Sequence, residues 1–510
     1  MKRSFADILQ GLDSDRAQKV ARKLPAWAAV DGLEIPSALS LEQCSSSATA
    51  AYKANLAVSG GTEAGTAPGN RATLGIVRGR GPSPDGRGPA QPDVSGGSCP
   101  LREVETASGL AAAPGPATIL DLTGGLGVDS WAFSQVAERV VYFERNAELA
   151  AAAGRNFTRL GAGNIEVRCE EVTPETELPE ADLIYADPAR RDAAGRKVFL
   201  LEDCTPDILA LLPMLLRKAP TVLLKLSPMA DLAMLADRLG TALHEIHVVE
   251  LDGEVKEILC LLCRQSNIHP LHPLKGDCTQ NAIARVRQRT PSEPGILITL
   301  LTSAATASEN RSQQAGLSSN PLHPLLGGSC LPGQLRKREG PDDKVVGKGP
   351  AQPDVFGGSW PLREAERFRL SEEREAEVRF AAEVRPGDTL LEPCPALLKA
   401  GAFRLPCARW GLLKLAASTH LYLLPGANTA SSAPGNHLFK AHRVLEVRPL
   451  GAAAFKTLRK SYPRAEVTAR NLPLGSAELQ KRLGVAPGGN VHIFGCRLAD
   501  GASVLIVTEG

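Results

Sequence analysis

The stretch DLTGGLGVD, Asp121 to Asp129, follows the apolar run Ala117-Thr118-Ile119-Leu120 and precedes Ser130-Trp131-Ala132-Phe133-Ser134-Gln135-Val136. An apolar run, a glycine-rich turn and a helical pattern in that order predict a strand, a tight loop and a helix start. In an open α/β sheet a nucleotide-like ligand sits here, because the crevice beyond the strand's carboxyl end meets the unpaired N–H groups of the helix. Gly124, Gly125 and Gly127 let the backbone turn tightly and approach a ligand that a Cβ would block. Asp121, at the strand end, is expected to accept hydrogen bonds from a positive or hydroxyl-bearing group.

Downstream segments repeat the strand and helix alternation. Arg139 to Phe143 reads as a second strand ending at Glu144, 23 residues after Asp121, the distance at which an acid meets ribose hydroxyls. Ile165 to Arg168 is a third, followed by Glu170-Glu171, and Ala181 to Ala186 a fourth, ending in Asp187-Pro188-Ala189-Arg190-Arg191. Pro206 to Leu216 reads as an apolar helix and Thr221 to Leu226 as a buried strand closed by Ser227-Pro228-Met229. Ser227 closes the strand at the same edge as Asp187, so Lys225 or Ser227 is expected to border the site, with Lys225 snorkelling to water as the other reading. Segments 244–249 and 257–262 read as antiparallel closing strands. A dinucleotide site wants G-x-G-x-x-G, and here Asp129-Ser130 stands where the third glycine should fall, which disfavours an oxidoreductase.

The order Asp121, Thr123, Gly125, Gly127 resembles motif I of class I S-adenosylmethionine (SAM) dependent methyltransferases, with Thr123 in place of the first glycine. Asp187-Pro188-Ala189-Arg190 stands where methyltransferases acting on exocyclic amino nitrogens carry Asp/Asn/Ser-Pro-Pro-aromatic; Ala189 replaces the second proline and Arg190 the ring. Together with LKLSP (224–228) and LEQCSSSATAAYK (41–53), these stretches resemble a bacterial family of class I methyltransferases with a C-terminal THUMP-like domain. The turn is also similar to bacterial rRNA guanine-N2 methyltransferases. The resemblance implies that Asp121, Thr123, Gly125, Gly127 and Glu144 hold SAM, with Glu171 on its adenine side. It implies that Asp187 and Pro188, with Arg190 beside them, position an acceptor nitrogen, exocyclic or in the ring, of a base in structured RNA, rRNA or tRNA. Arg190-Arg191 gripping a phosphate is the other reading of that pair. The alternative for the whole chain is a protein that binds SAM or RNA on this fold without transferring a methyl group.

The expected architecture is therefore α/β, a Rossmann-like methyltransferase sheet over 117–265, with a helical region over 1–58 in front of it. A ferredoxin-like α+β domain is expected over 280–436 and a THUMP-like one over 437–510. In the helical region Phe5, Ile8, Leu9 and Leu12 share a face, Trp27 marks a packing corner, and the alanine-rich 48–57 forms a second helix. Segments 59–116 and 303–366 are rich in Gly, Pro, Ser and Arg and lack apolar periodicity, so both are expected to be flexible inserts. They share GRGPAQPDVSGGSCPLREVE (86–105) and GKGPAQPDVFGGSWPLREAE (347–366), identical at 16 of 20 positions and too far apart to form a solenoid.

Formal charge is only +2 over 510 residues, so any nucleic-acid footprint must be local. It is expected between Lys440 and Arg470, where eight Lys/Arg face two Glu. Eleven scattered cysteines suit reduced thiols, and Asp7 interrupts the only apolar run of the amino terminus; a cytoplasmic protein without signal peptide or membrane span is the expectation. Cys260-x2-Cys263 invites a zinc reading, but strand alternation puts the two thiols on opposite faces, and no metal site is expected.

Overall fold

The computed structural model describes residues 15–59, 116–189, 201, 204–264, 293–301, 363–425 and 437–509. The amphipathic face at Phe5 to Leu12, Arg190-Arg191, the strand expected at 282–286, the first repeat copy and the second copy up to 362 lie outside these residues.

The amino-terminal half is a nine-stranded sheet in the order β3-β2-β1-β4-β5-β7-β6-β8-β9. Its strands are β1 Thr118–Asp121, β2 Arg139–Phe143, β3 Ile165–Arg168, β4 Leu183–Ala186, β5 Thr221–Leu226, β6 Leu243–Leu251, β7 Glu254–Cys263, β8 Gly295–Leu301 and β9 Arg363–Arg369. The first five run parallel, and β7 is antiparallel to both β5 and β6. Parallel strands covered on both faces need apolar residues at every position. Leu120, Val141, Ile184, Val222 and Leu224 accordingly enter one core, while Ile119, Val140, Leu183, Tyr185 and Leu223 enter the core on the other side.

The first of these faces is covered by helices Ile208–Lys218 and Leu232–Leu239, each opened by an aspartate whose carboxylate accepts a backbone N–H of the first turn. Helix Val128–Ser134 and the amino-terminal helix Ser47–Ser59 cover the second face. Small residues such as Ala50, Ala54 and Ala57 bring the latter close, and Trp27 packs edge-on against Trp131 with ring centroids 6.2 Å apart, the corner expected of it.

A second, seven-stranded sheet has the order β11-β12-β10-β13-β16-β15-β14. It comprises β10 Thr389–Pro393, β11 Leu413–Ala416, β12 Thr419–Leu424, β13 Phe439–Pro449, β14 Glu466–Arg470, β15 Val491–Arg497 and β16 Ser503–Glu509. Helices Ala452–Ser461 and Ser476–Leu483 set Leu458, Leu479 and Leu483 against Ile493, Leu505 and Val507 on one face. The two sheets are tied at the short helix Pro395–Lys399: Ala396 N–H donates to Glu250 Oε2 at 2.7 Å and Lys399 Nζ donates to Ala230 O at 2.7 Å.

Two domain boundaries differ from expectation. Gly295–Leu301, expected to fall in the ferredoxin-like domain, lies beside β6 in the nine-stranded sheet, and Arg363–Arg369, whose first residues fall in the expected insert, pairs with it. An apolar run shows that a strand is buried and not which sheet buries it. The cut at 436/437 also divides one continuous sheet, since β10 pairs with β13 from Thr389 to Pro393.

Candidate active site

β1 and β4 run side by side with Asp121 opposite Tyr185, so the turn after β1 and the Asp187-Pro188 segment after β4 emerge together at the sheet's carboxyl edge. A cleft of about 1830 Å³ opens there, lined among others by Thr123, Gly125, Glu144, Glu171, Asp187 and Lys225. Glu144 Oε2 accepts the Gly125 N–H at 2.9 Å, which fixes an acid beside the turn. Gly127 takes φ +88°, and a Cβ there would sit 2.6 Å from the Phe157 ring; at Gly124 it would sit 2.0 Å from Tyr142. Thr123 joins the two motifs, because its Oγ1 accepts the Asp187 N–H at 2.6 Å.

Asp121 departs from its expected ligand contact. It is fully buried; its Oδ1 accepts the Thr123 N–H at 3.1 Å and its Oδ2 the Ser130 hydroxyl at 2.5 Å. It therefore braces the loop from within, and burial pushes its carboxyl up to about 7. Glu171 is exposed in the cleft and pairs with Arg145 at 3.1 Å. Pro188 is buried, and Arg190 lies outside the described residues.

Lys225 does not snorkel. Its side chain is only 13 % exposed, and its ammonium pairs with Asp187. Burial opposes its charge, yet the carboxylates of Asp187, Glu257 and Asp129 outweigh that and hold it above the usual lysine range. Behind it stands a buried cluster that the sequence did not announce. Lys53, fully buried in helix Ser47–Ser59, pairs with Glu257 at 3.0 Å and Asp129 at 3.2 Å. Asp129 Oδ2 accepts the hydroxyls of Ser45 at 2.8 Å and Tyr185 at 2.9 Å. Cys44, Ser45 and Ser46 thus wall the cleft, and Ser45 connects through Asp129 to Tyr185 of β4. The available signal was Lys53 in the middle of an otherwise alanine-rich helix.

A ferredoxin-like domain model matches residues 390–426 and a THUMP domain-like model residues 439–509. A solved structure of a candidate methyltransferase from Porphyromonas gingivalis W83 aligns over 98 % of this chain and 88 % of its own length, at 26 % identity and TM-score 0.59. The chain is a class I methyltransferase fold with C-terminal ferredoxin-like and THUMP-like domains. Partial matches include a SAM-dependent methyltransferase from Agrobacterium tumefaciens, 20 % identical over 30 % of this chain and 57 % of that one, with TM-score 0.24. A candidate RNA methyltransferase from Pyrococcus horikoshii is 19 % identical over 21 % and 49 %, with TM-score 0.17. At these scores the two partial matches add nothing to the assignment. No curated protein matches the sequence. Within this methyltransferase fold, the cleft lies at the carboxyl ends of β1, β2 and β4, where the parallel strands leave their crevice.

Proposed function

We propose that the protein transfers a methyl group from SAM to a nitrogen of a base in structured RNA. The observation that carries this reading is the Thr123 to Asp187 hydrogen bond, which locks the glycine turn to the Asp-Pro segment at one cleft. The residues fit SAM: Gly124 and Gly127 keep the turn in a shape that side chains would forbid, and Glu144 stands where two ribose hydroxyls would find a carboxylate. Thr123, Gly125 and Glu144 would hold the nucleoside and amino-acid parts, and Glu171 the adenine side. When bound, SAM supplies an electrophilic methyl group on a sulfonium. The chain's own contribution is then position and orientation. Asp187, held in place by its pairing with Lys225, accepts a hydrogen bond from the acceptor amine and aims its lone pair.

The proposal is tested with purified full-length protein, SAM, NAD and total RNA. SAM and not NAD should give a calorimetric signal. Asp187→Ala should leave SAM affinity within a few-fold of wild type while lowering methyl transfer about a hundredfold, because small misplacement of a reacting atom is costly. SAM binding without any transfer, unchanged by Asp187→Ala, would replace the enzyme with a SAM-binding protein. Tight NAD binding without a SAM signal would end both readings.

A further inference from the structure

Away from the cleft, the seven-stranded sheet brings together a cluster of three polar side chains. Glu392 at the end of β10, His442 in β13 and His492 in β15 offer one ligand atom each, all within 4.8 Å of one another. The His442 side chain is fully buried, and neither ring nitrogen has a hydrogen-bond partner. A buried imidazole left so is costly, on the order of 1–3 kcal/mol for each unsatisfied group. Its Nε2 approaches Glu392 Oε2 to 3.4 Å, longer than a good hydrogen bond to a carboxylate. That separation is instead what two ligands of one tetrahedral zinc ion show, since metal bonds of about 2.0–2.2 Å place neighbouring ligand atoms roughly 3.3–3.5 Å apart.

The surrounding contacts have the form of an outer ligand shell. Arg470 Nη2 donates to Glu392 Oε1 at 3.0 Å, which fixes the carboxylate and leaves Oε2 facing His442. Thr468 Oγ1 lies 2.7 Å from His492 Nε2, which holds that ring and leaves its other nitrogen for coordination. Phe494 stacks on the His492 ring with centroids 3.9 Å apart and packs edge-on to His442 at 5.1 Å, so the rings are locked from the apolar side.

We propose that Glu392, His442 and His492 bind a divalent transition-metal ion of the zinc class. The ion would join β10, within the ferredoxin-like match, to β13 and β15, within the THUMP-like match, and would leave one coordination position for water or a ligand oxygen. The site escapes motif searching because its ligands lie fifty residues apart along the chain and meet only through sheet pairing.

The test uses the full chain, stripped with chelator and titrated with Zn²⁺ or Co²⁺ alone. Wild type should bind one equivalent, and its Co²⁺ adduct should show visible bands of a nitrogen and oxygen ligand set without ultraviolet sulfur-to-cobalt charge transfer. Glu392→Gln and His442→Asn, each checked by circular dichroism, should weaken Zn²⁺ binding at least tenfold. The Co²⁺ spectrum of wild type needs no variant and keeps the test decisive if either substitution prevents folding. Absence of stoichiometric binding, thiolate bands, or binding retained in both folded variants would overturn the proposal, leaving Glu392 as the partner of Arg470 alone.

Discussion

A Cβ at Gly124 would lie 2.0 Å from Cε2 and 2.2 Å from Cδ2 of Tyr142. That ring is not free to yield, because its hydroxyl donates to Gly125 O at 2.6 Å and its edge packs against Phe157 with centroids 5.5 Å apart. Gly124→Ala should therefore lower stability by about 1–3 kcal/mol or more, as overpacking does, and should remove SAM binding together with it. Thermal denaturation and calorimetry read the two effects, and a variant matching wild type in both would show that the turn has slack. Asp121 makes a second prediction at this scale. Its carboxyl is raised from 3.8 to about 7 in the folded chain by burial, so the folded state holds the proton more tightly than the unfolded one. The stabilising contribution is then full below about pH 4 and lost as pH rises through about 7. Between pH 5 and 8 the melting temperature should fall by more in wild type than in Asp121→Asn, whose amide does not titrate. Parallel curves would show that the Ser130 and Thr123 hydrogen bonds keep the group ionised.

Helix Ser47–Ser59 shows how an element can be legible while its purpose is hidden. Its alanines announce a helix, and the apolar runs 118–121, 139–143, 183–186 and 221–226 announce buried strands, because local periodicity alone fixes both. The motif residues Thr123, Glu144 and Asp187 are legible for the same reason: each stands at the end of such a run and so reaches the same edge of the sheet. Lys53 is not legible. Its partners Asp129 and Glu257 are distant in sequence and come together only when the helix docks across the sheet. Asp121 is misread for a related reason, since the sequence does not reveal that Ser130 on the following helix takes up its second oxygen. Lys53→Met would leave the carboxylates of Asp129 and Glu257 without their directly paired ammonium, with Lys225 as the remaining nearby cation, and removing one partner of a buried pair costs up to about 3–5 kcal/mol. Adding Glu257→Gln to Lys53→Met should recover part of that loss, because one uncompensated charge goes with it. Denaturant titration of the two single variants and the double measures this coupling. Strict additivity would show that the helix docks by its alanines and Tyr52, with the charges incidental.

Across the whole molecule, the expected basic footprint of Lys440 to Arg470 is partly engaged in internal contacts. Arg459 Nε donates to Leu483 O at 2.9 Å, capping helix Ser476–Leu483; Arg464 Nη2 donates to Pro487 O at 3.2 Å, and Arg470 pairs with Glu392. Lys456 and Lys460 are different: they are exposed and one helical turn apart on Ala452–Ser461, so they share a face that a phosphate backbone can reach. If RNA engages this domain, Lys456→Ala with Lys460→Ala should weaken binding uniformly across sequences. It should also flatten the logarithmic salt dependence by roughly 0.7–0.9 for each phosphate that the variant no longer neutralises, because each neutralised phosphate releases condensed counterion. SAM affinity and melting temperature should not change. Arg459→Ala should behave in the opposite way, lowering stability by about 0.5–1.5 kcal/mol through removal of the cap while leaving the salt slope nearly intact. Filter binding of total RNA at several salt concentrations, paired with melting curves, separates the two classes of residue. Should the lysine pair leave both affinity and slope untouched while wild type binds RNA, this helix is not the contact surface, and RNA must be held at the cleft or by basic residues elsewhere.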